Sequence, residues 1–458
     1  MNIIIIGAGK VGQTIARYLS DENDNVTIID NKVQVLEKIN DELDVMCVKG
    51  NCTDLRVLSE AGINEADILI AVTNSDELNM LCCLAAKKLG AKYTVARVRT
   101  PHYDEDVTVL ADAIGIDLII NPEKAAANEI SKMLRYPSIC SIDDFSRGQV
   151  NLVGFTISEN SVLVDMRVCD IDYIKGLILF CGVERDDDFI IPNGEFKFKK
   201  EDKIYVIGEH KNIEGFLKRL GKYKKRVKNV MIIGGSRIGY YLAKSIIDVC
   251  INCKIVEKEI SKCEELTELL PKSVIINGDG MDENLLLSES LTEMDSFIAL
   301  TGRDEDNILA SLFALNKNID NIITKITRDN YYKIAKNIDI NAIINPKIIT
   351  ANRIIKHVRR RKNQRKCSIE NVYKICNEKA EAIELIVNDS TENVGIKLKN
   401  IKFNKENLVA VIVRNDKTII PSGDDCLKIN DRVVIVTKNP MILDINDIFD
   451  GGTVKDEL

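Results

Sequence analysis

The sequence predicts an α/β chain in which a Rossmann-like, doubly wound parallel sheet is followed by a small α+β domain, and the pair then occurs a second time. Three observations carry that expectation. The first thirty residues read strand, glycine turn, helix, strand, acid. Apolar strands and helical patterns alternate to about residue 134. The same anchors then return at a near-constant offset through the rest of the chain.

The apolar run from Asn2 to Ile6 breaks into Gly7-Ala8-Gly9-Lys10-Val11-Gly12 and continues as a helical pattern to Leu19. A second apolar strand from Val26 ends on Asp30. In this order the first glycine permits a tight turn, the second lets a backbone amide approach a phosphate, and the third lets helix pack closely on strand. The helix start offers N–H groups and the positive end of its dipole to a pyrophosphate. Asp30 stands where a carboxylate accepts both ribose hydroxyls of an adenosine and repels a 2′-phosphate. Together these predict nucleotide binding. The competing reading is a fold that keeps its glycines for packing alone.

A helix over Val33–Asn40 leads to a strand over Val45–Val48 and the turn Gly50-Asn51-Cys52-Thr53-Asp54, where Thr53 or Asp54 caps a helix running to Ala61. The strand Ile68–Val72 ends at Thr73-Asn74-Ser75-Asp76-Glu77, which opens a helix over Leu78–Leu89. The strand Tyr93–Val98 carries Arg97 and leads to Arg99. The strand Leu118–Ile120 ends at Asn121-Pro122, before a helix over Glu123–Leu134. Such alternation gives a parallel sheet with its ligand at the carboxyl ends of the strands. Gly7–Gly12, Asp30, Gly50–Thr53, Thr73–Glu77 and Arg97–Arg99 all fall at such ends, which predicts one cleft. From Val150 to Glu209 the pattern changes to short alternating runs, Leu177–Val183, Phe189–Ile191 and Lys203–Ile207, with turns at Gly176, Pro192-Asn193-Gly194 and Glu201-Asp202. These predict the small domain and a hairpin within it.

The chain then begins again. Val230–Ile233 reads as a strand, Gly234-Gly235-Ser236-Arg237-Ile238-Gly239 as its glycine turn, and Cys253–Val256 as a second strand ending on Glu257. Gly7 and Asp30 recur 227 positions on as Gly234 and Glu257, and Thr73 and Glu77 recur 228 positions on as Thr301 and Glu305. Asn121-Pro122 returns as Asn345-Pro346, and Ala127-Asn128 as Ala351-Asn352. Arg185, Pro192, Gly194 and Asp202 return 229 positions on as Arg414, Pro421, Gly423 and Asp431. Anchors matched over the whole length indicate duplication of a two-domain unit. The expected bounds are 1–138 and 229–364 for the parallel-sheet domains, and 139–228 and 365–458 for the small ones.

Composition narrows the function. A length of 458 residues suggests about three or four domains. With 45% hydrophobic and 29% charged residues the chain reads as an ordinary soluble protein. Its longest apolar runs, such as Ile3–Ile6 and Ala66–Val72, fall far short of the roughly 20 residues that span a bilayer. The chain opens on a core strand, so no signal peptide is expected, and any action at a membrane goes through a partner. The net charge of −7 argues against nucleic acid as the main ligand. The 13 cysteines are odd in number and scattered (Cys47, Cys82, Cys83, Cys181), as reduced cytosolic thiols are. Cys250 and Cys253 form a CxxC near Cys263, but without a second pair or a thioredoxin context they read as buried or idle thiols. The final Lys455-Asp456-Glu457-Leu458 spells an ER-retention signal with no route into the secretory pathway, and reads as coincidence. The basic stretches Lys218–Lys228 and His357–Lys366 read as a solvated linker and helix end, the alternative being contact with an acidic partner or anionic lipid headgroups.

A dehydrogenase also needs a group that exchanges a proton with substrate beside the nicotinamide. The three histidines, His102, His210 and His357, occupy no repeated position and are expected to stand beside no plausible acid. Tyr18 and Tyr241 lie in the first helices rather than in a Tyr-x-x-x-Lys arrangement after a strand. The small domains hold no metal-ligand set. The chain builds a nucleotide site without a reaction site, so it reads as a sensor and not an enzyme. An NAD-dependent oxidoreductase lacking an identified catalytic residue is the alternative. A nucleic-acid-binding redox repressor would need a basic helix-turn-helix, and the small domains look strand-rich. Lys10 and Arg237 hold the same place in the two loops, either pairing with phosphate oxygens or facing solvent. Ser236 replaces the middle glycine, so the second loop approaches phosphate less easily.

This combination resembles the TrkA family, cytosolic regulators of Trk-type potassium uptake built from two RCK (KTN) units in tandem. The residues that carry the resemblance are Gly7–Gly12, Asp30, Ala71-Val72-Thr73-Asn74-Ser75-Asp76-Glu77 with Asn79-Met80, and Ala96-Arg97-Val98-Arg99. In the second half they are Gly234–Gly239, Glu257, Thr301–Asn307 and Asn345-Pro346. The resemblance implies RCK N- and C-terminal domains and a peripheral protein on the cytoplasmic face of the cell membrane. It also implies a homo-oligomeric ring of RCK units, docked on a potassium-translocating subunit. It implies NAD or NADH as ligand, with ATP or ADP possible at the same sites. By position Gly7, Ala8, Gly9, Lys10, Val11, Asp30, Thr73, Asn74 and Arg97 would line the first site. Gly234, Gly235, Ser236, Arg237, Ile238, Glu257, Gly278, Asp279 and Lys325 would line the second. The departures are Ser236, and Lys325 in place of the first half's Arg97. Some relatives bind cyclic di-AMP on their C domains, and no motif here bears on that.

Overall fold

The computed structural model describes every residue except 23, 100–114, 136–140, 160, 187, 221–226, 337–339, 341, 365–368, 376–378, 405, 439–441, 443 and 450–458. His102, the expected junction at 138–139 and the terminal Lys455–Leu458 lie outside the described residues.

The first half runs β1 (Asn2–Ile6), α1 (Lys10–Asp21), β2 (Asn25–Asp30), α2 (Val33–Glu42), β3 (Met46–Lys49), α3 (Leu55–Glu60), β4 (Ile68–Ala71), α4 (Asp76–Leu89), β5 (Tyr93–Arg97), β6 (Leu118–Ile120) and α5 (Pro122–Arg135). Its six strands are parallel in the order β3-β2-β1-β4-β5-β6. Strand order reverses between β1 and β4, so the crevice at their carboxyl ends is the switch point where such sheets bind ligands. Both faces of the sheet are covered, which explains why β1 is apolar from Ile3 to Ile6. Ile3 and Ile5 join one hydrophobic cluster with Ile15, Ile28 and Ile70, whereas Ile4 and Ile6 join another with Leu69 and Cys82. Of the two capping candidates, Asp54 caps α3 by accepting from the Arg56 N–H.

The chain continues through β7 (Ser141–Phe145), β8 (Val150–Thr156), β9 (Ile178–Arg185), β10 (Asp188–Ile190), β11 (Lys203–Glu209) and α6 (His210–Arg219). These strands form an antiparallel sheet in the order β10-β9-β11-β8-β7, and β9–β10 is the expected hairpin. The Arg185 guanidinium grips the buried Asp202 carboxylate through two hydrogen bonds of 2.7 Å. Arg414 and Asp431 repeat this pair at the same distances, which accounts for these anchors in the internal repeat.

The second half repeats the first: β12 (Asn229–Ile233), α7 (Arg237–Ile247), β13 (Asn252–Glu257), α8 (Ile260–Leu269), β14 (Val274–Asn277), α9 (Glu283–Ser288), β15 (Ser296–Ala299), α10 (Asp304–Asn316), β16 (Asn321–Lys325), α11 (Asp329–Lys336), β17 (Ala342–Ile344) and α12 (Pro346–Gln364). The parallel order is β14-β13-β12-β15-β16-β17. β18 (Ile369–Ile375), β19 (Ala380–Ile386), β20 (Asn407–Arg414), β21 (Lys417–Ile419) and β22 (Arg432–Thr437) complete a second antiparallel sheet, in the order β18-β19-β22-β20-β21. Read from the other edge, that is the order of the first.

The helices that follow the sixth strands are exchanged. α5 buries Ala126, Ala127, Ile130 and Leu134 with Ile232, Leu242, Ile246 and Ile298 of the second half. α12 buries Ala351, Ile354, Ile355 and Val358 with Ile5, Ile15, Ile28 and Ile70 of the first. Small residues on the contact face let α5 approach α7 closely. Asn121 donates to the Tyr241 hydroxyl at 3.0 Å, and Ser131 and Ser245 share a hydrogen bond of 3.1 Å. Both parallel sheets consequently belong to one compact unit, Met1–Arg135 with Arg226–Val358, and both antiparallel sheets to another, Tyr136–Lys225 with Arg359–Leu458. Within the latter, Phe145, Tyr205 and Ile207 share a core with Ala382, Val411 and Val434.

Candidate functional site

The glycines of the first loop have three separable tasks. Gly7 has φ of +101°, and a Cβ there would stand 3.1 Å from the Thr73 nitrogen. A Cβ on Gly12 would stand 2.0 Å from the Gly7 carbonyl oxygen, so its absence lets α1 sit against the turn. A Cβ on Gly9 would meet nothing within 4 Å, so this glycine is needed neither for its backbone nor for packing. It opens onto space at the carboxyl ends of β1 and β4. α1 begins at Gly9 without a side-chain cap, which leaves its first N–H groups to other partners.

The second loop repeats the turn but not the open helix start. Gly234 has φ of +98°, and a Cβ on Gly239 would stand 2.8 Å from the Gly234 oxygen. Ser236 has the backbone of Gly9 (φ −71°, ψ 167° against −70°, 178°), yet its hydroxyl accepts from the Gly239 N–H at 3.4 Å and caps α7 itself. Val11 and Ile238 are core residues of their sheets, so only their backbone faces the loops.

The acids at the ends of β2 and β13 hold the loops in shape. Asp30 accepts from the Ala8 N–H at 2.7 Å and the Lys32 N–H at 2.9 Å. Glu257 accepts from the Gly235 N–H at 2.7 Å and the Glu259 N–H at 2.9 Å. A carboxylate has about four lone-pair sites, so either acid retains acceptor capacity. The next turn is also shared. The Gly50 N–H donates to the Asp30 carbonyl at 3.1 Å and the Gly278 N–H to the Glu257 carbonyl at 2.9 Å. Asp279 accepts from Met281 N–H and from Lys258 at 2.8 Å, and the Lys258 bond holds its carboxyl below the usual range.

After β4 the chain is fixed by a residue outside the expected site set. Asn79, fully buried, accepts from the Thr73 N–H at 2.8 Å and hydroxyl at 2.7 Å and donates to the Arg97 carbonyl at 2.8 Å. Asn307 does the same for Thr301 and Lys325, at 2.8, 2.8 and 3.0 Å. Asp76 accepts from the Arg99 N–H at 2.8 Å, and Asp304 receives the N–H groups of Thr327 and Arg328. The signal for both was present, since Asn79/Asn307 and Asp76/Asp304 recur at the 228-residue offset.

Arg97 is 9% exposed and donates to the Thr73 carbonyl at 2.6 Å and the Asn74 side chain at 3.3 Å. Its buried Nε has no hydrogen-bond partner. Burial, then the neighbouring Arg99, pulls its pKa below the ordinary value. Lys325 takes the same position, within 3.5 Å of the Leu300 carbonyl, with its pKa lowered by burial. The Lys10 ammonium donates to the Thr327 carbonyl of the second half at 3.3 Å. Arg237 is exposed.

The first turn of α5 adds Glu123, which was absent from the expected set. Its Oε2 is buried without a hydrogen-bond partner. Burial pushes its pKa up against the opposing influence of Arg99, Arg237 and Arg97, and it also acts on Lys325. One carboxylate therefore stands among cations of both halves. The exchange of α5 puts it there, which sequence alone did not disclose.

These residues fit an adenine nucleotide or dinucleotide. The space over Gly9 is open, and the Arg97 Nε is a buried donor without a hydrogen-bond partner. Among the described residues two histidines have partners that bear on proton transfer. His210 lies 3.9 Å from Glu214, contrary to the expectation that no acid stands beside it, but it is an exposed residue at the start of α6. His357 shares a 2.6 Å hydrogen bond with Tyr93. No group of three or more His, Cys, Asp or Glu among the described residues is arranged to hold a metal ion. Among them no helix is long and apolar enough to cross a membrane.

Comparison with known proteins agrees with this geometry. The TrkA-N domain model matches residues 3–122 and 230–346, and the TrkA-C domain model residues 152–221. A Methanosarcina mazei relative described as Trk system potassium uptake protein TrkA homolog 1 is 35% identical, over 95% of this chain and 97% of its own length. The Vibrio alginolyticus Trk system potassium uptake protein TrkA is 30% identical, over 98% of each. Among solved structures, the GsuK RCK domain superposes with a TM-score of 0.60 at 15% identity, over 95% of this chain and 92% of that one. The GsuK channel bound to NAD gives 0.62 at 15%, over 95% and 76%. Both show a shared fold.

Proposed function

The chain belongs to the TrkA family, and from that premise we propose that it is a nucleotide-sensing regulatory subunit of a potassium uptake system, not an enzyme. It acts on the cytoplasmic face of the membrane, docked on a Trk-type potassium-translocating subunit. The observation that carries this reading is a duplicated glycine-loop and acid pair, open over Gly9, with the orphaned Arg97 Nε at the end of β5.

The ligand is NAD or NADH, with ATP or ADP as competitors for the same loops. When bound it supplies negative charge to the α1 start and ribose hydroxyls to the acid. In the first site the backbone of Gly7, Ala8, Gly9, Lys10 and Val11 would hold phosphate, Asp30 would accept ribose, and Thr73, Asn74 and Arg97 would close the far wall. In the second, Gly234, Gly235, Ser236, Arg237 and Ile238, with Glu257, Gly278, Asp279 and Lys325, would take the same parts. The self-capped α7 makes that site the weaker one. A ligand shifts the protein only by binding one arrangement better than another. Glu123, among cations of both sites, is the residue through which charge at one is felt at the other.

The functional units are the domains at 1–138, 139–228, 229–364 and 365–458, assembled into a homo-oligomeric ring of RCK units. Leu81 and Leu309 support the ring: they occupy equivalent positions on α4 and α10 and are 50% and 55% exposed. The test is calorimetric titration with NADH, NAD, ATP and ADP of wild type, Asp30→Ala and Glu257→Ala, with NADH absorbance followed in parallel. Two binding events, the tighter lost with Asp30→Ala and the weaker with Glu257→Ala, at constant absorbance, are expected. Absence of binding by all four, or consumption of NADH, refutes the proposal.

A further inference from the structure

Cys52 and Cys82 have no part in the account above. Cys52 lies in the turn between β3 and α3, and Cys82 in the middle of α4; both belong to one hydrophobic cluster. The Cys82 thiol donates to the Cys52 carbonyl at 3.4 Å. Cys82 is fully buried, whereas Cys52 keeps 8% of its surface exposed. The pair is specific to the first half, since the equivalent positions 228 residues on are Gly280 and Ala310. The adjacent Cys83 turns instead to the Val95 carbonyl at 3.6 Å.

Two cysteines side by side, one slightly exposed in the turn after β3 and one fully buried in α4, form the arrangement of a peroxidatic and a resolving cysteine. We infer that Cys52 and Cys82 are a redox-switchable dithiol that a hydroperoxide closes into a disulfide, tying the Gly50–Asp54 turn to α4 beside the first nucleotide site. The neighbouring Cys82 side chain lowers the Cys52 pKa, which favours the thiolate, while the same neighbour and burial raise that of Cys82. The Cys52 thiolate sulfur attacks one peroxide oxygen. The O–O bond breaks, the leaving oxygen departs as hydroxide or alkoxide and is protonated, and Cys52 becomes a sulfenic acid. The Cys82 sulfur then attacks the sulfenic sulfur, the S–O bond breaks, and water leaves with the Cys82 proton. Two thiols lose two electrons, and one peroxide is reduced to two waters, or to water and an alcohol.

The disulfide ties two segments that the first site depends on. The turn follows β3, whose neighbour β2 ends on Asp30, and α4 carries Asn79, which holds Thr73 and the Arg97 carbonyl. The consequence for ligand affinity rests on the nucleotide-binding reading; the disulfide itself does not.

The test treats the full-length reduced protein with graded hydrogen peroxide, blocks remaining thiols, and maps non-reduced peptides by mass spectrometry. The inference expects a Cys52–Cys82 linked peptide, reversed by dithiothreitol. In Cys82→Ala, which adopts the residue of the second half, it expects a Cys52 sulfenic acid trapped by dimedone and no linked peptide. Cys52 remaining a thiol at doses that oxidise the exposed Cys250, or linking elsewhere, overturns it. Titration with NADH then reads the consequence: affinity changes about tenfold, within the usual range of coupling between linked events, on oxidation of wild type but not of Cys82→Ala. Unchanged affinity with the disulfide formed overturns control of the site. If the reduced protein binds no nucleotide, the functional reading fails while the peptide map still decides the disulfide.

Discussion

Gly9 and Gly12 are three residues apart and do opposite things, and their substitution separates binding from folding. Gly9 has ordinary extended backbone and open space around its missing Cβ. Gly9→Ala is therefore expected to leave the thermal midpoint unchanged or slightly raised, through a less flexible unfolded chain, while weakening NADH binding by about tenfold or more, which is about 1.4 kcal/mol. Gly12 is a helical residue where alanine would ordinarily help, but its Cβ would meet the Gly7 oxygen at 2.0 Å. Gly12→Ala is expected to cost about 1–3 kcal/mol in urea unfolding. Equal loss of stability in both variants would contradict these roles. Glu123 gives a pH signature. Its native pKa is raised, chiefly by burial, so the native state keeps a proton that the unfolded chain has released. Stability must then fall as pH rises from the ordinary glutamate value of about 4.3 through the raised native one. Glu123→Gln removes that fall, so the stability difference between variant and wild type should grow across this window in urea titrations. A pH-independent difference would show that Glu123 is not held protonated by its surroundings. The glycine loops, the acids and the Thr73 turn were legible in the sequence because each is a spacing within one segment. Glu123 and the reach of Lys10 to Thr327 were not, because they depend on which segments of the two halves meet.

At the scale of elements, the exchange of α5 and α12 makes each parallel sheet depend on a helix of the other half. The sequence discloses that these helices are amphipathic and where they begin, since Asn121-Pro122 and Asn345-Pro346 recur. Periodicity gives an apolar face but not the sheet that covers it, so the exchange was invisible. It has a measurable consequence. Ile130 is fully buried among residues of the second half and Ile354 among those of the first. Each alanine substitution is expected to cost about 2–5 kcal/mol. In native-state hydrogen exchange, Ile130→Ala should release protection first in β12, β13 and β15, and Ile354→Ala first in β1, β2 and β4. Loss confined to the mutated helix's own half would contradict the exchange.

Over the whole molecule, duplication supplies two copies of one architecture whose sites have diverged. One helix opens on an uncapped Gly9 and the other on the self-capping Ser236; one wall carries Arg97 and the other Lys325. On the proposed reading, divergence within one chain would let one ligand event modify a second, through cations that share Glu123 and cores that share helices. That arrangement suits a regulator more than a catalyst. The measurement that tests this most directly is potassium flux into vesicles containing a Trk-type membrane subunit, with the purified chain added, with and without NADH or ATP, for wild type and Gly9→Ala. The account predicts that the wild-type chain changes the flux, that nucleotide changes it further, and that Gly9→Ala retains the first effect and loses the nucleotide response of the first site. Flux indifferent to the chain, or to nucleotide in its presence, would contradict it.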